Sequence, residues 1–229
     1  MSWALNQTNS SRLALCYKRY MQTREFLTRL FERHAHGLIE KLTAIRYHNV
    51  PSRVQHGLAG GSTGTADCGF LYLLVKAFAR RSIFEIGTYV GTSAVAMAMA
   101  GGHVTTCDPK DYGCLPPGIR FLNMTDRDAL RLLRREGAVV DMVLADVAVS
   151  SDAIAFLNKI GNDDMIFTAH DYASGRKGEV CVDLMSKHYR RAQECTWFLP
   201  EAKPIEVAPG LLIEEATAAM VPNQLIAAL

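Results

Sequence analysis

A short apolar strand, Ser82-Ile83-Phe84-Glu85-Ile86, runs straight into Gly87-Thr88-Tyr89-Val90-Gly91 and then into a helical stretch of small residues over Gly91–Ala100. A short buried strand, closed by a glycine turn and followed at once by a helix, is the opening of a strand–helix–strand unit. Glycine is needed in such a turn because the backbone takes unusual torsions and comes close to a ligand. In an open sheet built of these units, ligands sit beyond the carboxyl ends of the strands. The loop lacks Gly-x-Gly-x-x-Gly, so the tight pyrophosphate cradle of the dinucleotide-binding proteins is not encoded.

The same alternation runs along most of the chain. Ala66–Ala79 reads as an apolar helix. Strands follow at Val104–Cys107, Ile119–Leu122, Val139–Leu144 and Met165–Ala169. Between them, Ala129, Leu130, Leu132 and Leu133 mark one helix, and Ala153, Ile154, Phe156, Leu157 and Ile160 mark another. Glu179–His188 is a further helix. Continuous apolar strands between helices mean a sheet covered on both faces, hence mostly parallel. Thr196–Leu199 and Leu211–Ile213 come late with no helix between them, which predicts a hairpin and an antiparallel edge. The expected fold is α/β, a Rossmann-like doubly wound, mostly parallel seven-stranded sheet with an antiparallel edge strand, plus N-terminal helices. The tail Ala216–Leu229 reads as an interface or a last packed segment.

Residues 1–60 differ in character. Phe26, Leu27, Leu30, Phe31, Leu38, Ile39, Leu42 and Ile45 recur at helical spacing, which predicts a helical cap or dimerisation segment. Residues 61–229 form the main unit, entered through the glycine-rich stretch 57–64. With 49% hydrophobic and 21% charged residues, a chain of 229 has enough core for one large domain. A net charge of +2 is no footprint for nucleic acid. Six cysteines, Cys16, Cys68, Cys107, Cys114, Cys181 and Cys195, show neither Cys-x-x-Cys nor zinc spacing. No leader-like apolar segment opens the chain, and no apolar run reaches the roughly 18 residues of a membrane span. A cytoplasmic protein with reduced cysteines is expected, with no membrane or nucleic-acid partner.

Asp108 ends the strand that follows the glycine turn, in His103-Val104-Thr105-Thr106-Cys107-Asp108. A carboxylate there accepts the two hydroxyls of a ribose, which points to a nucleoside ligand without choosing one. At this point the chain resembles the class I methyltransferases, and within them the catechol O-methyltransferase group. Glu85-x-Gly87-Thr88-Tyr89-x-Gly91-x-Ser93 is similar to their first motif. The resemblance implies S-adenosylmethionine as cofactor, with Asp108 on its ribose and Thr125 and Asp126 at its adenine. It further implies Gly61, with Gly60 and Ser62, over its methionine end, and Asp146, ending Asp141-Met142-Val143-Leu144-Ala145-Asp146, beside the methyl donor. The match spans roughly residues 57–214.

Methyl transfer from a sulfonium is an in-line displacement, in which the cofactor supplies the reactive carbon and the protein supplies orientation. A hydroxyl acceptor must lose its proton, to a base or with the help of a metal. The catalytic candidates are Asp146, His170 and Asp171. The resemblance implies Asp146 and Asp171 as ligands for Mg²⁺ or another divalent cation, with His170 as ligand or base. His170-Asp171-Tyr172 also resembles sugar and macrolide O-methyltransferases. Where the catechol enzymes carry a lysine base after the fourth strand, this chain has Ala148, Val149 and Ser150, so that base does not carry over. Arg176 and Lys177, on the loop after the site, read as a solvated turn. The expected activity is O-methylation of a small-molecule acceptor by a homodimer. The competing readings are a methyltransferase acting on a macromolecule and an inactive nucleoside-binding relative.

Overall fold

The computed structural model describes residues 24–34, 37–38, 63–172, 177–199, 205–208, 211–213 and 217–229. The N-terminal segment 1–60 is therefore described only over 24–34 and 37–38, and Gly61 lies outside the described residues. Helix α1 covers residues 24–34. After it come α2 (Thr65–Ala77), β1 (Ser82–Ile86), α3 (Thr92–Met99), β2 (His103–Cys107), β3 (Arg120–Leu122), α4 (Asp126–Arg135) and β4 (Val140–Ala145). The chain continues with α5 (Ser151–Ile160), β5 (Gly161–His170), α6 (Lys177–His188) and β6 (Cys195–Phe198). It closes with β7 (Ile205–Ala208), β8 (Leu211–Ile213), β9 (Thr217–Pro222) and α7 (Asn223–Ala227).

Seven strands form one sheet in the order β3-β2-β1-β4-β5-β9-β6. β1 to β5 are parallel, and β9 alone runs against its neighbours on both sides. After β3 the chain returns to the far side of β1 to lay down β4. The order thus reverses between β1 and β4, and the loops leaving these two strands part company there.

Alternate residues of each strand feed two cores. Ile83, Val104, Met142, Leu144 and Ile166 pack on one face with α1, α2 and α3. Phe84, Ile86, Val143, Ala145, Met165 and Phe167 pack on the other with α4, α5 and α6. With both faces covered, apolar residues fall on both positions of this period of two. Helix starts are set by local chemistry. Thr125 caps α4 by accepting from Asp128 N at 3.3 Å, and Ser150 caps α5 by accepting from Ala153 N at 3.2 Å. The phenyl ring of Phe26 stacks on Phe198 at 4.6 Å, which docks α1 on the sheet's outer strand. Trp197 is partly buried, edge-on to Phe167, so it belongs to the core.

The expected hairpin does not form. β6 pairs with β9, Trp197 opposite Met220, while Leu211–Ile213 pairs with β7 in a separate two-stranded sheet. The reason is burial: every residue of β9 is buried, so this segment takes the slot between β5 and β6. The antiparallel strand is therefore one in from the edge, and the segment read as a tail is part of the sheet. Among the described residues, no helix is long and apolar enough to cross a membrane.

Met220 is fully buried against the α4–α6 side of the sheet. Met220→Ala is expected to lower the unfolding free energy by about 2–5 kcal/mol, the usual loss for truncating a core methionine. Urea denaturation measures it; a loss below about 0.5 kcal/mol, typical of surface positions, would mean that residues 217–222 hang on the fold rather than complete it.

Candidate active site

The loop leaving β1 is held from below. Glu85 is 0% exposed, and both its oxygens are engaged: Ser93 Oγ donates to Oε1, and Thr106 Oγ1 donates to Oε2 at 2.5 Å. Thr88 Oγ1 lies 2.6 Å from Thr106 Oγ1 and extends the same network into the loop. Burial pushes the Glu85 carboxyl up to about 8; the bonds from Ser93 and Thr106 oppose this, and the charges of Asp146 and Asp108 add to it. Glu85 thus faces inward, tying the loop to α3 and β2. Gly91 opens α3 with φ +81°, and a side chain there would put Cβ 2.3 Å from Leu115 Cδ2. Only glycine meets both conditions. Tyr89, between the glycines, is itself left-handed at φ +47°.

Asp108 stands where β2 ends and joins two loops. Its Oδ2 accepts from Tyr89 N at 3.0 Å, and its Oδ1 accepts from Lys110 N at 2.9 Å. The Tyr89 and Tyr112 rings meet edge to face at 5.0 Å beside it. Asp126 is half-buried at the start of α4, and Thr125 is exposed and engaged in the cap. Tyr112 was not singled out in the sequence, because it lies in the irregular stretch after β2 where no period marks it.

The charged cluster lies across the switch point. β4 delivers Asp146, whose N donates to Ile86 O at 2.8 Å. β5 delivers His170, and the chain turns at Asp171 with φ +57°. His170 Nδ1 is 3.0 Å from Asp146 Oδ1 and 3.7 Å from Asp171 Oδ1. Its Nε2 faces Asp67 Oδ2 of α2, a carboxylate 1% exposed, at 4.0 Å. Burial lowers the His170 pKa, but the hydrogen bond to Asp146 and the charges of Asp146, Asp67 and Asp171 outweigh it, so the imidazole sits above its ordinary value. Asp146, His170 and Asp171 are close enough together to ligate one ion.

Lys177 completes the cluster, contrary to the expected solvated turn. Its Nζ is 2.5 Å from Asp146 Oδ1 and 3.4 Å from Asp171 Oδ2. Burial pulls the ammonium down, yet the hydrogen bond to Asp146 and the two carboxylate charges hold it above the usual lysine value. Arg176 lies outside the described residues. A nonlocal contact puts Lys177 here. Gly178 N donates to Asp171 O at 2.8 Å, and a Cβ on Gly178 would come within 2.2 Å of Tyr172 N and 2.4 Å of His170 O. Only a residue without a side chain lets α6 start this close to the end of β5.

A small cleft between the two loops is lined by Thr63, residues 88–93 and Asp146. A larger cavity of about 570 Å³ lies elsewhere, between α1 and α7, bordered by Phe26, Leu30, Ile226 and Leu229. Because β9 is antiparallel, α7 follows it at the amino ends of the parallel strands, away from Asp146 and His170. Of the charged cluster, Asp146 lines the small cleft, and none of its members borders the larger cavity.

No protein-family model and no curated protein matches the sequence. Solved structures do match the fold. A candidate caffeoyl-CoA O-methyltransferase from Staphylococcus aureus aligns over 81% of this chain and 99% of its own, at 14% identity and a TM-score of 0.54. An O-methyltransferase from Bacillus cereus in complex with SAH aligns over 81% and 90%, at 17% identity and a TM-score of 0.50. The SAH-bound methyltransferase of Podospora anserina aligns over 80% and 94%, at 12% identity and a TM-score of 0.53. With the strand order, the switch point and the glycine turn already in place, the chain has the class I methyltransferase fold.

Proposed function

We propose that this chain transfers the methyl group of S-adenosylmethionine to an oxygen of a small molecule. The observation that carries the reading is that Asp108 and the Asp146–His170 pair stand on the two sides of one switch point, beyond the carboxyl ends of β1, β2, β4 and β5. That is where an open α/β sheet binds a nucleoside. The SAH present in the Bacillus cereus and Podospora anserina structures supports the same cofactor.

In this reading Asp108 receives the ribose hydroxyls; a carboxylate has lone pairs to spare beyond those met by Tyr89 N and Lys110 N. Asp126 and Thr125 lie on the adenine side, and the turn from Gly87 to Gly91 lies under the methionine end. Glu85 and Ser93 bind nothing directly; they fix the turn that does. The acceptor oxygen forms its bond to the methyl carbon as the carbon–sulfur bond breaks, and that electron pair returns to sulfur, leaving a neutral thioether. In its neutral form His170, which Asp146 holds in place, is the group that takes the hydroxyl proton.

The resemblance to the catechol group implies a divalent cation at Asp146 and Asp171. That ion does not fit the arrangement as built. Lys177 Nζ already stands against both carboxylates, and an ammonium in contact with a ligand set opposes a second cation. No step here runs through a metal.

Calorimetric titration with S-adenosylhomocysteine tests the reading. The folded chain should bind it at micromolar strength, and Asp108→Ala should weaken binding by about tenfold or more, the loss of one or two good hydrogen bonds. No binding by a chain shown to be folded would overturn the assignment.

The support role of Glu85 has its own signature. Its carboxyl is raised from an ordinary 4.5 to about 8, so between these values the folded chain keeps a proton that the unfolded chain has lost. Its contribution is whole below the ordinary value and is lost as pH rises through about 8, a difference of a few kcal/mol. Compared with Glu85→Gln in urea melts at about pH 5, 7 and 9, the native chain should lose more stability on the alkaline side. Parallel curves for the two proteins would show that Glu85 is ionised when buried.

A further inference from the structure

The positive charge in the cleft comes from the chain itself. Two carboxylates converge there, with a third, Asp67, behind the imidazole. Like charges so close repel unless a cation stands among them. In this structure that cation is the ammonium of Lys177, 2.5 Å from Asp146 and 3.4 Å from Asp171. Its side chain is 35% exposed, well short of the open solvent where a turn lysine usually sits. Its place does not rest on one flexible side chain. The backbone just after it is locked by the Gly178–Asp171 hydrogen bond, in a gap that admits no Cβ.

We propose that Lys177 Nζ is the resident cation of this site, standing between Asp146 and Asp171 in place of a divalent metal. The proposal rests on the methyl-transfer reading for its purpose, and on geometry alone for its substance. The ammonium balances the carboxylates, so they need no ion to stay charged side by side. It also carries three N–H donors. With Asp146 and Asp171 facing the ammonium, one of these donors serves the acceptor oxygen as its proton leaves. A lysine is a point charge on a flexible stem, so it meets that one oxygen without the fixed coordination geometry that a metal would impose.

Mn²⁺ serves as the probe. It is titrated into the full chain, stripped of metals beforehand with a chelator, and the bound ion is read from the loss of the free-ion electron paramagnetic signal. Wild-type protein should bind Mn²⁺ no better than millimolar. Lys177→Ala and Lys177→Gln, which uncover Asp146, His170 and Asp171, should each bind about tenfold tighter or more, because a repelling charge is gone. Lys177→Arg should behave like the wild type, and adding Asp146→Asn to Lys177→Ala should abolish the gain. Micromolar binding by the wild type overturns the proposal, and that measurement needs no variant to fold. So does the absence of any gain in folded Lys177→Ala and Lys177→Gln. The titration uses no nucleoside, so a chain that shows this pattern but fails to bind S-adenosylhomocysteine defeats the functional reading and not this one.

Discussion

Two backbone hydrogen bonds hold the site open. Gly87 N donates to Cys107 O at 2.9 Å on one side of β1, and Asp146 N donates to Ile86 O at 2.8 Å on the other. They carry the sheet one residue past its last paired strand positions, to the line where the chain must choose a side. Beyond it the β1 loop turns toward β2 and the β4 loop turns toward β5, because the strand order reverses there. The cleft is the space left by that divergence. Nothing about it requires particular side chains until the sheet has formed, which is why this fold can carry different acceptors on one frame.

The acids of the cleft are handled in opposite ways. Glu85 is sealed under the loop with two hydroxyl donors and no cation beside it, and burial favours its neutral form. Asp146 and Asp171 lie at the surface of the same cleft with Lys177 between them and His170 alongside. The buried acid holds the loop, and the cation-paired acids stand where the proposed transfer takes place.

The central strands could be read from the sequence because each leaves a local signature, a short run rich in Val, Ile, Leu, Met and Phe set between helical patterns and ending at a glycine turn or an acid. β9 leaves none. Ala218 and Ala219 suit helix, strand or coil, and one side of the slot, β5, lies far back along the chain, so proximity in sequence suggested a hairpin between the wrong partners. The same distinction divides the site. Glu85, Gly87, Gly91, Asp108 and Asp146 sit at the junctions of a strand with its loop, where position along the chain fixes position in space. Lys177 does not. Its neighbours Gly175 and Gly178 read as turn residues, and only the contact of Gly178 with the backbone of residues 170–172 shows why that glycine is there. A glycine inside the first turn of a helix, directly after a lysine and a few residues beyond a strand-end acid, is the one local sign that this approach was required.

Backbone strain marks the same two rims. Among the described residues three non-glycines are left-handed: Ala79, Tyr89 and Asp171. Ala79 lies just past the end of α2, and the bond from Arg80 N to Val75 O accounts for it as an ordinary helix stop. Tyr89 and Asp171 end no helix. Each such residue costs about 1–3 kcal/mol and persists only where the surroundings over-determine it. For Tyr89 the surroundings are the Asp108 carboxylate, which accepts from its N, and the glycines on either side. For Asp171 they are Gly178 N, bonded to its O, and the ammonium of Lys177 on its carboxylate. The fold thus places the two distortions that end no helix on facing sides of one cleft. In each case the group that holds the distortion is one that the proposed chemistry uses, Asp108 for the nucleoside and Lys177 for the acceptor. A core that only needed to pack would have placed its strain elsewhere or avoided it.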